Sequence, residues 1–280
     1  MLAPMTLPAP VLVAPDAFGR ELRAPAVAAA IGRGLERARV APPPEPCPVA
    51  GGGRGTIEVL LPALGGETAD DYALVDHGGT AIVERAESAH ATGERIAAAA
   101  AAGAEVVLVA AGGPDVEFDG GAGAVEAIEE AGGLRGAALV VLCEVRVAWT
   151  QTSGELPRDP RGIPMTAAGG GLAGALWSHL DARLVPGAPF VLEQLDFDAR
   201  MRAARAVVVG DARLDRATLE GRVAGEIATR ARQAGVPCHA IVGEDAIDRF
   251  DARILDLQAI LVASTLAEIE AAGEALARYL

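Results

Sequence analysis

Hydrophobic residues in this chain fall into two kinds of segment. Short aliphatic runs, such as 106–110 and 138–143, have the length and composition of buried strands. Longer segments place apolar residues at helical spacing, as Val27, Ile31 and Leu35 do. Because short apolar strands that alternate with helices are typical of α/β proteins with largely parallel sheets, we predict an α/β fold.

The same pattern gives the order of the elements along the chain. It predicts further strands at 11–14, 46–50, 207–209, 238–242 and 260–263, and a hairpin that joins 72–75 to 80–84. It predicts helices at 24–39, 57–64, 93–102, 122–131, 167–177, 219–233 and 267–279. Residues 150–162 are polar and contain proline, so we expect a loop there.

Composition narrows the possible functions. Of the 280 residues, 51% are hydrophobic but only 3% are aromatic, so the core must be aliphatic. The net charge is −14 and no basic run occurs, which argues against nucleic-acid binding. All 24 basic residues are arginine, so no lysine can form a Schiff base or reach a phosphate. The widely spaced Cys47, Cys143 and Cys238 predict buried thiols rather than disulfides or a zinc site.

Nothing in the sequence indicates a membrane or secreted protein. The apolar N-terminal segment is interrupted by prolines and lacks the basic region of a signal peptide. The alanine run 97–102 is too short to span a bilayer. We therefore expect a cytoplasmic protein with no membrane contact.

Four loops follow predicted strands, namely 15–21, 51–56, 111–121 and 210–218, and ligands of such sheets bind at loops in this position. In the loop 51–56, glycines let backbone N–H groups approach an anion, and the helix that follows adds its positive end. Arg54 could pair with a phosphate, and Thr56 could cap the helix or contact a metal-bound water. The alternative is a tight turn with a surface arginine.

The loop 111–121 combines glycines with carboxylates. Asp115, Glu117 and Asp119 could hold Mg²⁺ through oxygen ligands, or one of them could accept a proton from a substrate hydroxyl. The alternative is an acidic turn in which Asp119 caps the next helix. In the loop 210–218, Arg213 could bind a phosphate or carboxylate, and the alternative there is a salt-bridged loop.

Six segments resemble, in chain order, motifs of the type I glycerate kinase family (glycerate 2-kinases). The segments are VAPDAF at 13–18, PVAGGGRGT at 48–56, GGPDVEFDGGAGA at 112–124, VLCEV at 141–145, AAGGGLAGAL at 167–176 and VVVGDARLDRATLEGR at 207–222. One such match would be weak, but six matches in order are specific.

The resemblance implies a fold and an activity. The fold is a discontinuous Rossmann-like parallel-sheet domain, formed by 1–60 and 200–280, with a second, flavodoxin-like α/β domain inserted at 61–199. The two domains would flank a cleft. The activity is the ATP- and Mg²⁺-dependent phosphorylation of D-glycerate, so the partners would be a nucleotide and a small hydroxy acid. Oligomeric state does not follow from the sequence.

The resemblance also assigns site residues. Asp16 or Asp119 would be the catalytic base, and Asp119 and Asp215 would hold magnesium. The residues that would bind substrate or nucleotide are Gly52, Gly53, Arg54, Gly55, Thr56, Gly112, Gly113, Gly120, Gly210, Asp211, Arg213, Asp215 and Thr218.

The chain departs from the family pattern at several of these positions. Ala17 and Gly19 stand where the family has serine and lysine, Gly51 and Arg54 replace aspartate and glutamate, and Glu144 replaces aspartate. The loop at 112–124 has Pro114, Val116 and Phe118 in place of hydroxyl and amide side chains, and the last motif has Asp211, Ala212 and Arg222 in place of glutamate, glycine and lysine. Three hypotheses follow: a working glycerate kinase, a catalytically impaired relative that binds a metabolite or a protein, and a kinase for another hydroxy acid.

Overall fold

A computed structural model of the protein describes residues 9–113, 119–150 and 156–280. Its strands are β1 (Val11–Pro15), β2 (Glu45–Pro46), β3 (Gly66–Thr68), β4 (Ala73–Val75), β5 (Thr80–Glu84), β6 (Val106–Gly112), β7 (Ala138–Cys143), β8 (Arg183–Pro186), β9 (Ala206–Leu214), β10 (Cys238–Asp245) and β11 (Leu257–Val262). Its helices are α1 (Ala24–Arg37), α2 (Thr56–Leu64), α3 (Ala89–Ala101), α4 (Ala122–Glu130), α5 (Leu172–Leu180), α6 (Gly187–Gln194), α7 (Phe197–Ala203), α8 (Val223–Ala234), α9 (Arg249–Leu255) and α10 (Leu266–Leu276).

The α/β prediction is confirmed, and the chain forms two compact units. Unit 1 contains Met1–Val49, Leu195–Leu219 and Val223–Leu280, and unit 2 contains Ala50–Gln194 and Glu220–Arg222. The domain ranges given above, 1–60 with 200–280 and 61–199, stay a prediction.

Unit 1 is built on a parallel sheet with the strand order β11-β10-β9-β1-β2. Helices α1 and α10 cover one face, where Val13, Ile31, Val208 and Ile269 belong to one buried cluster. Helix α8 packs against β9 and β10. Chain order reverses between β1 and β9, since β2 extends the sheet one way and β10 the other. Loops that follow β1 and β9 therefore meet at a switch point, the usual ligand position in such sheets.

Unit 2 contains a mixed sheet with the order β3-β4-β5-β6-β7-β8. Strands β5 to β8 are parallel, whereas β3, β4 and β5 pair antiparallel. Helices α3, α4 and α5 share a buried aliphatic cluster with β5, β6 and β7, in which Val83, Ile96, Val109 and Leu172 are fully buried. The parallel strands are adjacent in chain order, so their carboxyl ends lie side by side at one edge.

Several predicted elements have different bounds in the structure, and each difference has a local cause. The helix predicted at 167–177 begins only at Leu172, because Gly169, Gly170 and Gly171 all have positive φ. The helix predicted at 219–233 is divided into a short 3₁₀ segment and α8, because Gly221 has a φ of +124°. The sequence pattern did not predict β3, β8, α6, α7 and α9, which all have eight residues or fewer.

The helices α1 and α10 cross with their backbones in close contact. A Cβ atom on Gly34 would overlap the carbonyl oxygen of Glu270 and would lie 2.7 Å from the backbone nitrogen of Glu274. A Cβ on Gly273 would lie 2.7 Å from the carbonyl oxygen of Ile31. Two glycines, one on each helix, therefore set the distance between these helices.

No helix in the described part of the chain is both long and apolar enough to cross a membrane. The three cysteines are buried and unpaired, as their spacing predicted.

Candidate functional site

The switch point of unit 1 holds Asp16 beside β9. The backbone N–H of Asp16 donates to the carbonyl of Gly210 over 2.9 Å, and its Oδ1 accepts from the N–H of Ala17 over 2.7 Å. A Cβ on Gly210 would lie 2.6 Å from Pro15 Cβ, so the close approach of the two strands requires glycine here. The predicted residues Asp16, Gly210 and Asp211 therefore come together at the carboxyl ends of β1 and β9.

Arg213 lies between two carboxylates. Its Nε is 3.2 Å from Asp215 Oδ2, and its Nη1 donates to Glu244 Oε2 over 2.8 Å. The Oδ1 of the buried Asp211 accepts from the backbone N–H of Arg213 over 3.2 Å. The guanidinium is half exposed, so it can still reach a ligand, but two acidic groups already neutralise much of its charge. This geometry is that of the salt-bridged loop considered above.

Asp215 and Thr218 organise the turn after β9. The Oδ1 of Asp215 accepts from the N–H of Ala217 over 2.9 Å, and its own N–H donates to Thr218 Oγ1 over 3.2 Å. Thr218 is buried, and a Cβ on Gly225 would overlap its carbonyl oxygen. Both side chains therefore stabilise the backbone of this turn.

In unit 2, the glycine loop 51–53 lies against the carboxyl ends of β6 and β7. The N–H of Gly112 donates to the carbonyl of Gly52 over 3.1 Å. A Cβ on Gly53 would lie 2.9 Å from Gly112 Cα, and one on Gly52 would lie 2.7 Å from Gly187 Cα. Backbones approach so closely here that no side chain fits, and the result is a cradle lined by main-chain groups. We call Gly51, Gly53, Gly112 and Gly113 the glycine cradle.

Glu144 places its carboxylate inside the glycine cradle. A Cβ on Gly53 would lie 2.6 Å from Glu144 Oε1, one on Gly113 would lie 3.2 Å from Oε2, and one on Gly51 would lie 3.0 Å from Cγ. The side chain is only partly buried. Glu144 was noted in the sequence only as a replacement for aspartate, and its place among the site residues was missed. The sequence feature that could have identified Glu144 is its position directly after a buried strand.

Arg85 brings a positive charge to the same place and was also missed. It directly follows β5, and its Nη1 donates to the carbonyl of Ala111 over 3.3 Å. A Cβ on Gly112 would lie 3.8 Å from Arg85 Nη1 and 3.9 Å from Glu144 Oε2. Arg85, Gly113 and Glu144 thus follow three neighbouring parallel strands, with Gly112 between the cation and the anion.

A carboxylate already occupies the N-terminus of α2. Glu84 Oε1 accepts from the N–H of Ile57 over 2.8 Å, and burial raises the pKa of this carboxyl although the N–H groups of Ile57 and Gly55 oppose the shift. The hydroxyl of the fully buried Thr56 donates to the carbonyl of Gly53 over 2.6 Å, so it shapes the loop from within. Arg54 is half exposed, with Nη2 3.6 Å from Glu87 Oε1. The surface-arginine interpretation therefore fits Arg54 in this structure.

Asp119 caps α4. Its Oδ1 accepts from the N–H of Gly121 and its Oδ2 from that of Gly123, each over 2.9 Å. Gly120 lies under Trp149, where a Cβ would come within 2.7 Å of the indole ring. This is the capping geometry considered as the alternative for the second glycine-rich loop. Asp115 and Glu117 lie outside the described residues.

The metal prediction for Asp119 and Asp215 stays a prediction. Each of their four carboxylate oxygens already has a donor within 3.2 Å. Within residues 9–113, 119–150 and 156–280, no three or more histidine, cysteine, aspartate or glutamate side chains are grouped so that they could hold a metal ion. Mg²⁺ often relies on one or two carboxylates together with substrate phosphates, so protein ligands alone need not form such a group.

A large cavity of unit 2 lies away from these residues. It has a volume of about 940 Å³, and strands β6, β7 and β8 contribute to its lining near their amino ends, at Val106, Ala138 and Arg183. The candidate residues follow the carboxyl ends of the same strands. The cavity is therefore at the opposite edge of the sheet from the glycine cradle.

Comparison with known proteins identifies the family. The sequence model of the Glycerate kinase family matches residues 11–133 and 133–279, which together make up most of the chain. The chain belongs to the glycerate kinase family. A glycerate kinase of Bacillus subtilis (strain 168) is 26% identical over 331 aligned positions, which cover 85% of this chain and 86% of that protein.

Other members of the glycerate kinase family give matches of different extent. A glycerate kinase of Halalkalibacterium halodurans is 38% identical, but the match covers 32% of this chain and 23% of that protein. The crystal structure of a protein assigned as glycerate kinase 2 from Salmonella typhimurium LT2 superposes with a TM-score of 0.70 at 20% identity. It covers 97% of this chain and 98% of that one, so the glycerate kinase fold extends along almost the whole chain.

Proposed function

We propose that the protein transfers the terminal phosphoryl group of ATP to a hydroxyl of D-glycerate. The observation that carries this proposal is the glycine cradle with Glu144 inside it, at the carboxyl ends of β6 and β7, in a chain of the glycerate kinase family. Phosphoryl transfer depends mostly on positioning and on stabilising charged oxygens, which main-chain N–H groups and cations provide.

Glu144 is our choice for the general base. In this step the glycerate hydroxyl oxygen bonds to the γ-phosphorus, the bond from that phosphorus to the β,γ-bridging oxygen breaks, ADP leaves, and the hydroxyl proton passes to the Glu144 carboxylate. Glu144 is preferred to Asp119 because both oxygens of Asp119 accept backbone N–H groups, those of Gly121 and Gly123 at the start of α4. Asp16 stays a candidate within unit 1, where it directly follows β1 and its Oδ1 accepts from the N–H of Ala17.

Arg85 is our choice for the phosphate-binding cation. The chain has no lysine and a net charge of −14, so an anionic nucleotide needs a local positive group. Arg85 is chosen for its position: it directly follows β5, and its Nη1 would lie 3.8 Å from a Cβ on Gly112, at the edge that holds the glycine cradle. Magnesium enters this proposal as the partner of the nucleotide phosphates, with no protein ligand specified.

The test is an assay of ADP release from Mg-ATP with D-glycerate, for the wild type and for Glu144→Gln. Removing a general base lowers turnover by roughly 10²–10⁴-fold, so we expect a kcat loss of that size with little change in KM. Glu94→Gln, an exposed glutamate on α3, is the matched control and should keep wild-type rates. Equal kcat for Glu144→Gln and wild type would exclude Glu144 as the base.

A second candidate function is ligand binding without turnover. The observation that favours it is that Glu84 occupies the N-terminus of α2 and that Asp119, which matches the family motif, serves as a helix cap, so both carboxylates hold structural contacts. Calorimetric titration with ATP and D-glycerate distinguishes the two functions. Binding of ATP or D-glycerate without any ADP release would support the non-catalytic function, and ADP release would reject it.

A further inference from the structure

The two sheets have four outer strands, and one of them lacks the charges, prolines and short length that usually prevent pairing, with an irregular register only near its start, between Leu257 and Ile260. Strand β2 has two residues and ends in proline, β3 has three exposed residues including a glutamate, and β8 begins with arginine and ends with proline. Charges, prolines and short length are the usual protections of sheet edges. Strand β11 has none of them: its sequence LQAILV is six residues long and uncharged.

The free side of β11 presents main-chain groups for pairing. The N–H of Ala263 donates to the carbonyl of Val242 on β10 over 2.8 Å, so Ala263 faces inward. Since backbone groups of successive strand residues point to opposite sides, Val262 and Ile260 direct their N–H and C=O groups outward. The side chain of Val262 is 62% exposed. This edge can therefore accept another extended strand.

Exposed apolar side chains are concentrated in the chain segment that contains β11. In the described part of unit 1, the large hydrophobic residues that are exposed are Phe250, Ile254, Val262, Leu266 and Tyr279. All but Tyr279 lie within 249–266, in α9, β11 and the start of α10. Phe250 is 72% exposed, which is unusual for an aromatic residue in a chain with so few of them.

The charges of this segment fit a second copy of the same chain. The chain as a whole carries a net charge of −14, so most pairs of identical surfaces would repel each other. The segment 249–266 contains Arg249, Asp251, Arg253 and Asp256 as its charged residues and is neutral. Neither arginine has an ion-pair partner among the described residues. In a two-fold symmetric dimer, the arginines of each copy can pair with the aspartates of the other copy.

We propose that the protein forms a two-fold symmetric dimer in which the β11 strands of two copies pair antiparallel. A two-fold axis perpendicular to the sheet makes two identical edges antiparallel, so the hydrogen-bonding groups of Ile260 and Val262 are self-complementary. Pairing joins the two five-stranded sheets and places the exposed Val262 of both copies at the junction. The proposal is independent of the catalytic function.

The experiment measures mass in solution by light scattering after gel filtration, over a range of protein concentrations. We expect the wild type to show twice the 28.4 kDa chain mass at the higher concentrations. Val262→Lys places a positive charge on the edge strand of both copies, because the dimer is symmetric. We expect this charge to prevent pairing, so that the measured mass is that of one chain. Tyr279→Lys adds the same charge at another half-exposed site of unit 1 and should leave the dimer intact.

A wild type that is monomeric at every concentration would overturn the proposal, and so would a folded Val262→Lys that stays dimeric. Circular dichroism establishes whether the variant is folded. If it is not, hydrogen exchange of the wild type decides, since the outward amides of Ile260 and Val262 should become protected as concentration rises. Amides that exchange equally fast at all concentrations would also reject the dimer.

Discussion

Replacing Gly34 by alanine tests the close crossing of α1 and α10. Alanine in a helix interior is ordinarily better than glycine by about 0.5–1 kcal/mol, so helix propensity alone predicts a more stable protein. The structure predicts the opposite. The added Cβ would overlap the Glu270 carbonyl oxygen and lie 2.7 Å from the Glu274 nitrogen, about 0.7 Å below the shortest ordinary contact of 3.4 Å.

The size of the effect follows from what must move. The contacted atoms belong to the backbone of α10, which cannot rotate away as a side chain would, so the two helices must separate. Ile31, Leu35, Ile269 and Leu276 are fully buried in the cluster between them and would lose contact. Overpacking of this kind costs about 1–3 kcal/mol, so we expect Gly34→Ala to lower the free energy of unfolding by roughly 1–2 kcal/mol after the propensity gain.

Gly32→Ala is the matched control on the same helix. A Cβ there would have Pro44 Cγ at 3.8 Å, an ordinary contact, and we expect it to raise the free energy of unfolding by about 0.5–1 kcal/mol. Urea unfolding followed by circular dichroism is the assay, because both tryptophans, Trp149 and Trp177, lie in unit 2 and report poorly on α1. If Gly34→Ala stabilises the protein as much as Gly32→Ala does, the close packing of the two helices is refuted.

Three further predictions concern other parts of the molecule. Burial lowers the pKa of His239, whose two ring nitrogens have no hydrogen-bond partner, below its usual 6.5. The unfolded state therefore binds a proton that the folded state rejects, and stability falls as pH drops below about 6.5, by at most about 1.4 kcal/mol per pH unit. His239→Leu should remove this dependence of the free energy of unfolding on pH. The prediction would be contradicted if that free energy changed equally between pH 7.5 and 5.5 in both proteins. Burial raises the pKa of Cys143 and of Cys238 to about 12, so a thiol reagent at pH 8 should modify neither until urea is added, and rapid labelling of the native protein would show that they are accessible. Gly53→Ala should lower ADP release more than tenfold with little change in the circular dichroism spectrum, because its Cβ would displace Glu144, and full activity would show that the glycine cradle is not the site.

The hydrophobic pattern correctly predicted the elements in which apolar residues recur regularly over several positions. The strand predicted at 138–143 has those bounds in the structure, and α1 and α10 differ from prediction only near their ends. Short elements were missed, since four residues of β8 or seven of α9 give no measurable period. The strand predicted at 46–50 has the bounds Glu45–Pro46, although the N–H groups of Cys47 and Val49 still donate to the carbonyls of Val13 and Pro15 on β1. Pro46 and Pro48 alternate with these donors, so their missing N–H groups fall on the free side of this edge strand.

The candidate site was less predictable because it depends on which strands are neighbours. The loops after the strands could be found one at a time, and in each the sequence left a structural alternative open. For Asp119, Arg54 and Arg213, the described contacts are those of the structural alternative. Arg85 lies in no motif, and Glu144 was noted in the VLCEV segment only as a replacement for aspartate. Both become site candidates through the order β5-β6-β7, which places the residues after these strands in one row. Where successive parallel strands are also neighbours in the sheet, the first residues after these strands lie together at one edge. A carboxylate and a cation can therefore meet there around backbone glycines although no sequence motif contains both.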